Sequence, residues 1–287
     1  TGVTVGVISD GIAGLQTAVA SGDLPATSET RSSGVLTATS GGVIAQSFRS
    51  DGNLEGFGSI GAEGTAMLEI VHDIAPGAQL RFANFSTHLE FMAAVDFLAS
   101  VSDVVVDDIG FFGRQTDGTS DVSTNTSNAL NDNSNPIRSY VTSVGNSATR
   151  HYEGAFAAGI DGMSATGFPG ALHAFGPTSN TTDALNLGTQ AYSTVRLTSG
   201  QAAVVWLVWA EAAGASTADY DLFLQDSGGA IVASSTAINA TTGSAAEAVG
   251  VAYSGPGSID LKILIQNYDN VSLSRNLELV VFPGTTE

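Results

Sequence analysis

The chain has 287 residues, 28 acidic against 9 basic, and a net charge of −19 at neutral pH. Phosphate binding needs clustered Lys and Arg, so this balance argues against nucleic acid and against an anionic membrane surface. No run approaches the ~18 apolar residues of a membrane span, and the absence of Cys excludes disulfides and thiol chemistry.

Apolar content of 43% with 34 glycines indicates a globular chain rich in strands and turns, of one large or two medium domains. Low Lys, high Ser/Thr/Asn/Gly and strong acidity fit a secreted or cell-surface protein. The chain starts at Thr1 on a strand-like run without Met or signal peptide, which reads as a processed or excised piece.

Val3–Ile8 is a buried-strand run ended by Ser9-Asp10-Gly11, and residues 12–21 have a helical pattern. Val35–Thr39 and Val43–Phe48 read as short strands, and residues 50–64 as a polar, glycine-rich loop. The next stretch carries the strongest pattern. Gly61-Ala62-Glu63-Gly64-Thr65 opens a helix whose apolar face is Met67, Ile70, Val71 and Ile74, stopped by Pro76-Gly77. Glu63 and Glu69 lie at its start and on its first turns, where the converging backbone N–H groups stabilise an ionised carboxylate.

Gln79–Phe85 is a strand, Leu89–Ser100 a helix, Ser102–Ile109 a strand, residues 121–135 a weak helix, and Ile137–Val144 a strand ending at Gly145-Asn146-Ser147. Strands alternating with helices indicate a parallel sheet with crossover helices, an α/β domain. Asp107 and Asp108 could form a charge pair in a cleft, but neighbours on a strand face opposite ways, so at most one faces it.

From about Ala174 the helical period is gone. Eight short runs remain, at 184–187, 193–197, 202–210, 218–225, 230–234, 246–253, 258–267 and 273–282. Their spacing predicts an antiparallel, jelly-roll-like β-sandwich with Trp206, Trp209, Tyr220 and Phe223 as filling or rim. The expected domains are therefore 1–172 and 173–287. Asp219, Asp221 and Asp226 offer oxygen ligands for Ca²⁺.

In order along the chain, Val5-Gly6-Val7-Ile8-Ser9-Asp10-Gly11, Glu63-Gly64-Thr65 with Ile74-Ala75-Pro76-Gly77-Ala78, Val105-Val106-Asp107-Asp108-Ile109-Gly110, and Ser143-Val144-Gly145-Asn146-Ser147 resemble the motifs of the subtilisin-like serine peptidases. The resemblance covers about residues 1–158 and implies a partial three-layer α/β domain. It also implies that Asp10 supports the base and that Asn146 donates to the oxyanion. Glu63 stands where the family has His, and its ordinary pKa would make it a base in acid. The sedolisin branch uses Glu and Asp with a Ser nucleophile, but its acidic pair is four residues apart, whereas Glu63 and Glu69 are six apart. His72 reads as a satisfied structural imidazole.

The family's Gly-Thr-Ser nucleophile motif does not follow Asn146. Gly118-Thr119-Ser120 precedes it and reads as a helix cap. The Asp-Tyr-Asp-Leu-Phe-Leu run at 219–224 resembles the pre-peptidase C-terminal type of sandwich. The implied function is an endopeptidase chain, acting on protein or peptide substrates once a complementary Ser-bearing segment completes it, with Asp10 or Glu69 supporting Glu63. The alternative from another class is a non-catalytic pseudo-peptidase that binds or self-associates through the sandwich.

Overall fold

The computed structural model describes residues 2–115, 117–146, 150–175, 193–211, 214–270, 272 and 274–285. Two compact units divide the chain. One comprises 1–111 with 121–145, and the other 112–120 with 146–287.

The first unit is built on a five-stranded sheet. Its elements are β1 (Thr4–Ser9), α1 (Leu15–Ser21), a hairpin of β2 (Thr27–Ser32) and β3 (Val35–Gly41), β4 (Val43–Ser47), α2 (Glu63–Ile74), β5 (Gln79–Asn84), α3 (His88–Val101), β6 (Val104–Asp107), α4 (Asp121–Asn131) and β7 (Ser139–Thr142). The sheet order is β4-β5-β1-β6-β7 with every pairing parallel. Successive residues of a strand face opposite sides. Val7 therefore joins Leu15, Leu68 and Phe82 in one core, while Ile8 joins Phe91, Val95, Leu98 and Val105 in another. With helices on both faces of a parallel sheet, the unit is a three-layer α/β structure.

The β2–β3 hairpin was only half predicted: β3 matches the strand expected at Val35–Thr39, while β2 was not expected. Its first strand, Thr27–Ser32, is polar throughout, and its order comes from the turn and from charge. Ser33 and Gly34 both have positive φ, 51° and 86°, the pair of conformations a tight hairpin requires. Arg31 bonds Glu29 at 3.0 Å and Glu55 at 2.7 Å.

The second unit is an all-β structure. Its elements are β8 (His151–Ala155), β9 (Ala158–Asp161), α5 (Met163–Thr166), β10 (Ala171–His173), β11 (Ser193–Thr198), β12 (Gln201–Trp209), β13 (Tyr220–Gln225), β14 (Ile231–Ser235), α6 (Asn239–Thr242), β15 (Ala246–Tyr253), β16 (Ser258–Asn267) and β17 (Asn276–Thr285). One sheet runs β14-β13-β16-β10-β9, with β11 also on β16, and the other runs β15-β12-β17-β8. Val205, Leu207, Leu277 and Leu279 of one sheet share a core with Leu222, Leu224, Ile263 and Ile265 of the other. Trp209 and Tyr220 are buried in the filling, Phe223 is buried on the other face of β13 with Ala165, Leu172 and Leu264, and Trp206 is half-buried, with its ring beside Gly113.

One expectation is revised here and one is left untested. The division at 172/173 falls inside the second unit, because β8 pairs with β17 and β10 with β16. The strand expected at 184–187 lies outside the described residues.

Candidate functional site

Three carboxylates of the first unit come together at the carboxyl ends of the parallel strands, the edge where open α/β sheets bind ligands. Asp10 follows the last residue of β1, and Asp108 follows the last residue of the neighbouring strand β6. Glu63 is the first residue of α2.

Glycine permits the approach. A Cβ on Gly64 would stand 2.3 Å from the Phe82 ring and 2.5 Å from the Gly11 carbonyl, so only glycine allows the helix start to press against the ends of β1 and β5. A Cβ on Gly61 would lie 3.0 Å from the Asp10 carboxyl. Thr65 Oγ1 donates to the Ala13 carbonyl at 3.0 Å, which ties the first turn of α2 to the segment after β1. Buried Asn84 holds the opposite wall, its Nδ2 donating to the carbonyls of Asn53 at 2.8 Å and Asp10 at 3.3 Å.

The electrostatics follow from the grouping. Glu63 is hydrogen-bonded to Asp108. That bond, then desolvation, then the charges of Asp108 and Asp10 push the Glu63 pKa up to about 7. A carboxyl that shares a proton with a like neighbour must keep that proton to higher pH. The Oδ1 of Asp108 is buried and has no protein partner. The helix N-terminus was expected to favour ionised Glu63, and the neighbouring carboxyls act in the opposite direction. The expectation of a base confined to acid is revised with it, since a group titrating near 7 exchanges protons near neutrality.

Asp107 has a different task. It is buried, and it accepts from Tyr140 Oη at 2.5 Å, Thr142 Oγ1 at 2.6 Å and the Ile109 N–H at 3.0 Å. Burial, followed by the Asp107 charge, raises the Tyr140 pKa. Of the two adjacent aspartates, Asp108 is the one that faces Glu63.

The remaining candidates stand elsewhere. Glu69 is not among the groups acting on Glu63. Six residues along an α-helix turn a side chain by about 600°, which sends it round to another face. Asn146 belongs to the second unit and is exposed, its carbonyl accepting from Arg150 Nη2 at 2.9 Å, while Ser147 is outside the described residues. Ser120 is buried and belongs to the second unit, whereas Glu63 belongs to the first. His72 was expected to be satisfied, but its Nδ1 is buried with no protein partner.

In the second unit, Asp219 and Asp221 lie at the start of β13 and Asp226 beyond its end. Asp226 closes a turn there, accepting from the N–H groups of Gly228 and Ala230 at 2.9 Å each. The expected trio is therefore not one site. Asp221 to Asp226 spans five residues, about 17 Å of extended strand. The signal for Asp108 was present in the sequence as strand alternation at a strand end, but nothing local named Glu63 as its partner.

No family model matches this chain, and no curated protein matches it. Among solved structures, the CspB protease of Clostridium perfringens aligns at 9% identity with a TM-score of 0.46, over 98% of this chain and 63% of that one. The chain thus spans less than two thirds of that protease's length.

Proposed function

We propose that the first unit carries the proton-transfer site of a peptide-bond hydrolase of the subtilisin-like class, with Glu63 in the place of the imidazole base. The observation that carries this reading is the hydrogen bond between Glu63 and Asp108 beside Asp10, which holds Glu63 near a pKa of 7. A base poised there is half ionised at neutral pH and still able to return its proton. The motif order along the chain supplies the substrate class, protein or peptide. The low Lys content and acidity support a secreted or cell-surface setting.

In this mechanism a Ser hydroxyl, from a segment carrying the nucleophile motif, attacks the substrate carbonyl carbon as its proton passes to Glu63. Collapse breaks the C–N bond, and Glu63 returns the proton to the departing amine nitrogen. Water then repeats the cycle on the acyl-enzyme.

A second reading is favoured by the same contact between carboxyls. One proton held between Glu63 and Asp108 matches the state in which paired carboxyls activate water directly. The ionised member takes a proton from water, whose oxygen attacks the carbonyl, while the protonated member donates to the carbonyl oxygen; the gem-diol then collapses, its C–N bond breaking as the newly protonated carboxyl gives its proton to the amine nitrogen. No Ser is needed.

Peptide cleavage combined with a serine-reactive fluorophosphonate separates the two. In the first reading the nucleophile-bearing species takes the label and labelling fails in Glu63→Gln. In the second, cleavage proceeds unlabelled and falls at least ~100-fold in both Glu63→Gln and Asp108→Asn. Cleavage that survives loss of Glu63 contradicts both.

A further inference from the structure

Three neighbouring strands of the first unit end in polar residues that share one face. Val7 of β1, Phe82 of β5 and Val106 of β6 all pack in the core that contains Leu68 of α2. Two residues further along a strand the side chain points the same way, which brings Ser9, Asn84 and Asp108 to the α2 face at the carboxyl end of the sheet. Ser9 is the register partner of Asn84, and Ile8 that of Asp107, so Asp108 stands across from Ser9 one step beyond the last pair.

Each of the three carries a buried oxygen with no protein partner: Ser9 Oγ, Asn84 Oδ1 and Asp108 Oδ1. Ser9 and Asn84 are both 0% exposed. The Asn84 amide has a fixed orientation, because its Nδ2 is held by the carbonyls of Asn53 and Asp10. Asp108 is bonded to Glu63, and with Oδ1 unpartnered that contact falls to its other oxygen. Adjacent strands are about 4.8 Å apart, too far for side-chain oxygens standing square to the sheet to bond one another and suited to one small molecule between them. Buried polar groups rarely stay unpaired, because each has given up its hydration.

We propose that Ser9, Asn84 and Asp108 hold one internal water, which makes Ser9 and Asn84 positioning residues for Asp108. The donor count selects water. The Ser9 hydroxyl needs an acceptor, while Asn84 Oδ1 and Asp108 Oδ1 each need a donor, and one water oxygen with its two hydrogens supplies all three. A metal cation would serve the oxygens but leave the Ser9 proton without an acceptor. By donating to Asp108 Oδ1 the water fixes that carboxyl and favours its anion, so the proton of the pair stays on Glu63. Asp108 and Asp10 are the charged groups that act on Glu63. The inference rests on the Glu63–Asp108 pairing that underlies the proposed function, but not on which reaction the pair performs.

The test is a crystal structure of the full chain at a resolution that shows ordered water, joined to carboxyl ¹³C NMR titrations of Glu63 and Asp108 in wild type and Ser9→Ala. The account predicts one water within about 3.2 Å of Ser9 Oγ, Asn84 Oδ1 and Asp108 Oδ1. In Ser9→Ala the water loses an anchor, so the Glu63 midpoint falls and the Asp108 midpoint rises, each by at least ~0.5 in pH. The substitution deletes one oxygen and leaves the apolar packing of β1 in place, so the variant is expected to fold. A merely structural Ser9 would lower the unfolding temperature and leave both midpoints where they are. That result overturns the proposal, as does a wild-type structure with a metal ion at these oxygens or with all three bonded to protein groups. Should wild type cleave no peptide, the water and the two midpoints still decide this proposal, and only the proposed reaction fails.

Discussion

The carboxyl of Glu63, at the start of a helix, is hydrogen-bonded to the carboxyl of Asp108, at the end of a parallel strand. Two carboxylates in contact repel when both are ionised, so a proton stays on the pair beyond the pH at which either alone would lose it. A helix N-terminus works in the other direction and favours the anion.

The pair makes stability depend on pH with a defined sign. The folded pKa of Glu63 is above its ordinary 4.5, so its contribution is fully present below 4.5 and is lost as pH rises through about 7. Asp108→Asn removes the repulsion, and the variant gains on wild type above pH 7 but not at pH 4. Glu63 is exposed, so solvent screening holds the gain to about 1 kcal/mol or less. Chemical denaturation at pH 4 and pH 8 measures it.

Gly64→Ala tests the close approach of α2. The added methyl meets the Phe82 ring and the Gly11 carbonyl, neither of which can retreat, since Phe82 is fully buried and Gly11 is backbone. A loss of ~1–3 kcal/mol is expected, typical of overpacking. The same shift of the helix start should lower the Glu63 pKa by separating it from Asp108. Urea denaturation and a carboxyl titration of the variant check both effects.

Much of the first unit was legible because its signals are local. The β1, β5 and β6 segments carry apolar runs, and the helix at 63–74 is marked by glycines at one end and Pro-Gly at the other. Asp10 and Glu63 stood out by sitting at those ends. The partner of Glu63 did not, because Asp108 lies 45 residues on and is brought there by strand pairing. Glu69, the in-helix alternative, is turned away by helix geometry. The strands β8 and β10 are five and three residues long, and their partners β17 and β16 lie about 95–130 residues further along the chain.

Glu211 anchors the sandwich by a different arrangement. It accepts from the N–H groups of Thr217 and Ala218, each at 3.0 Å, from Ser216 Oγ and Thr217 Oγ1, each at 2.8 Å, and from Arg275 at 2.8 and 3.0 Å. Burial alone would raise its pKa, but these donors outweigh burial and pull it well below the ordinary carboxylate range. The stability it contributes is present above its ordinary value near 4.5 and lost as pH falls below it. Glu211→Ala leaves several donors unpaired and should cost about 2–4 kcal/mol, read by denaturation at pH 7.

His173 sets a second acid limit on the same unit. Its Nδ1 accepts the Ala157 N–H at 3.1 Å, which leaves the Nε2–H to donate to Tyr152 Oη at 2.7 Å, and burial lowers the pKa to about 4. The unfolded chain takes up this proton first, near 6.5. Stability from neutral His173 is therefore complete above 6.5 and declines as pH falls toward 4. His173→Gln should flatten the unfolding temperature over that interval, relative to wild type.

The central claim is that Glu63 and Asp108 share a proton near neutral pH, and a carboxyl ¹³C NMR titration of Glu63 in the full chain tests it most directly. The account predicts a midpoint near 7 in wild type and a return to the ordinary carboxylate range in Asp108→Asn. A wild-type midpoint near 4.5, unchanged by the substitution, would show that Glu63 merely caps its helix and would contradict the proton-transfer site.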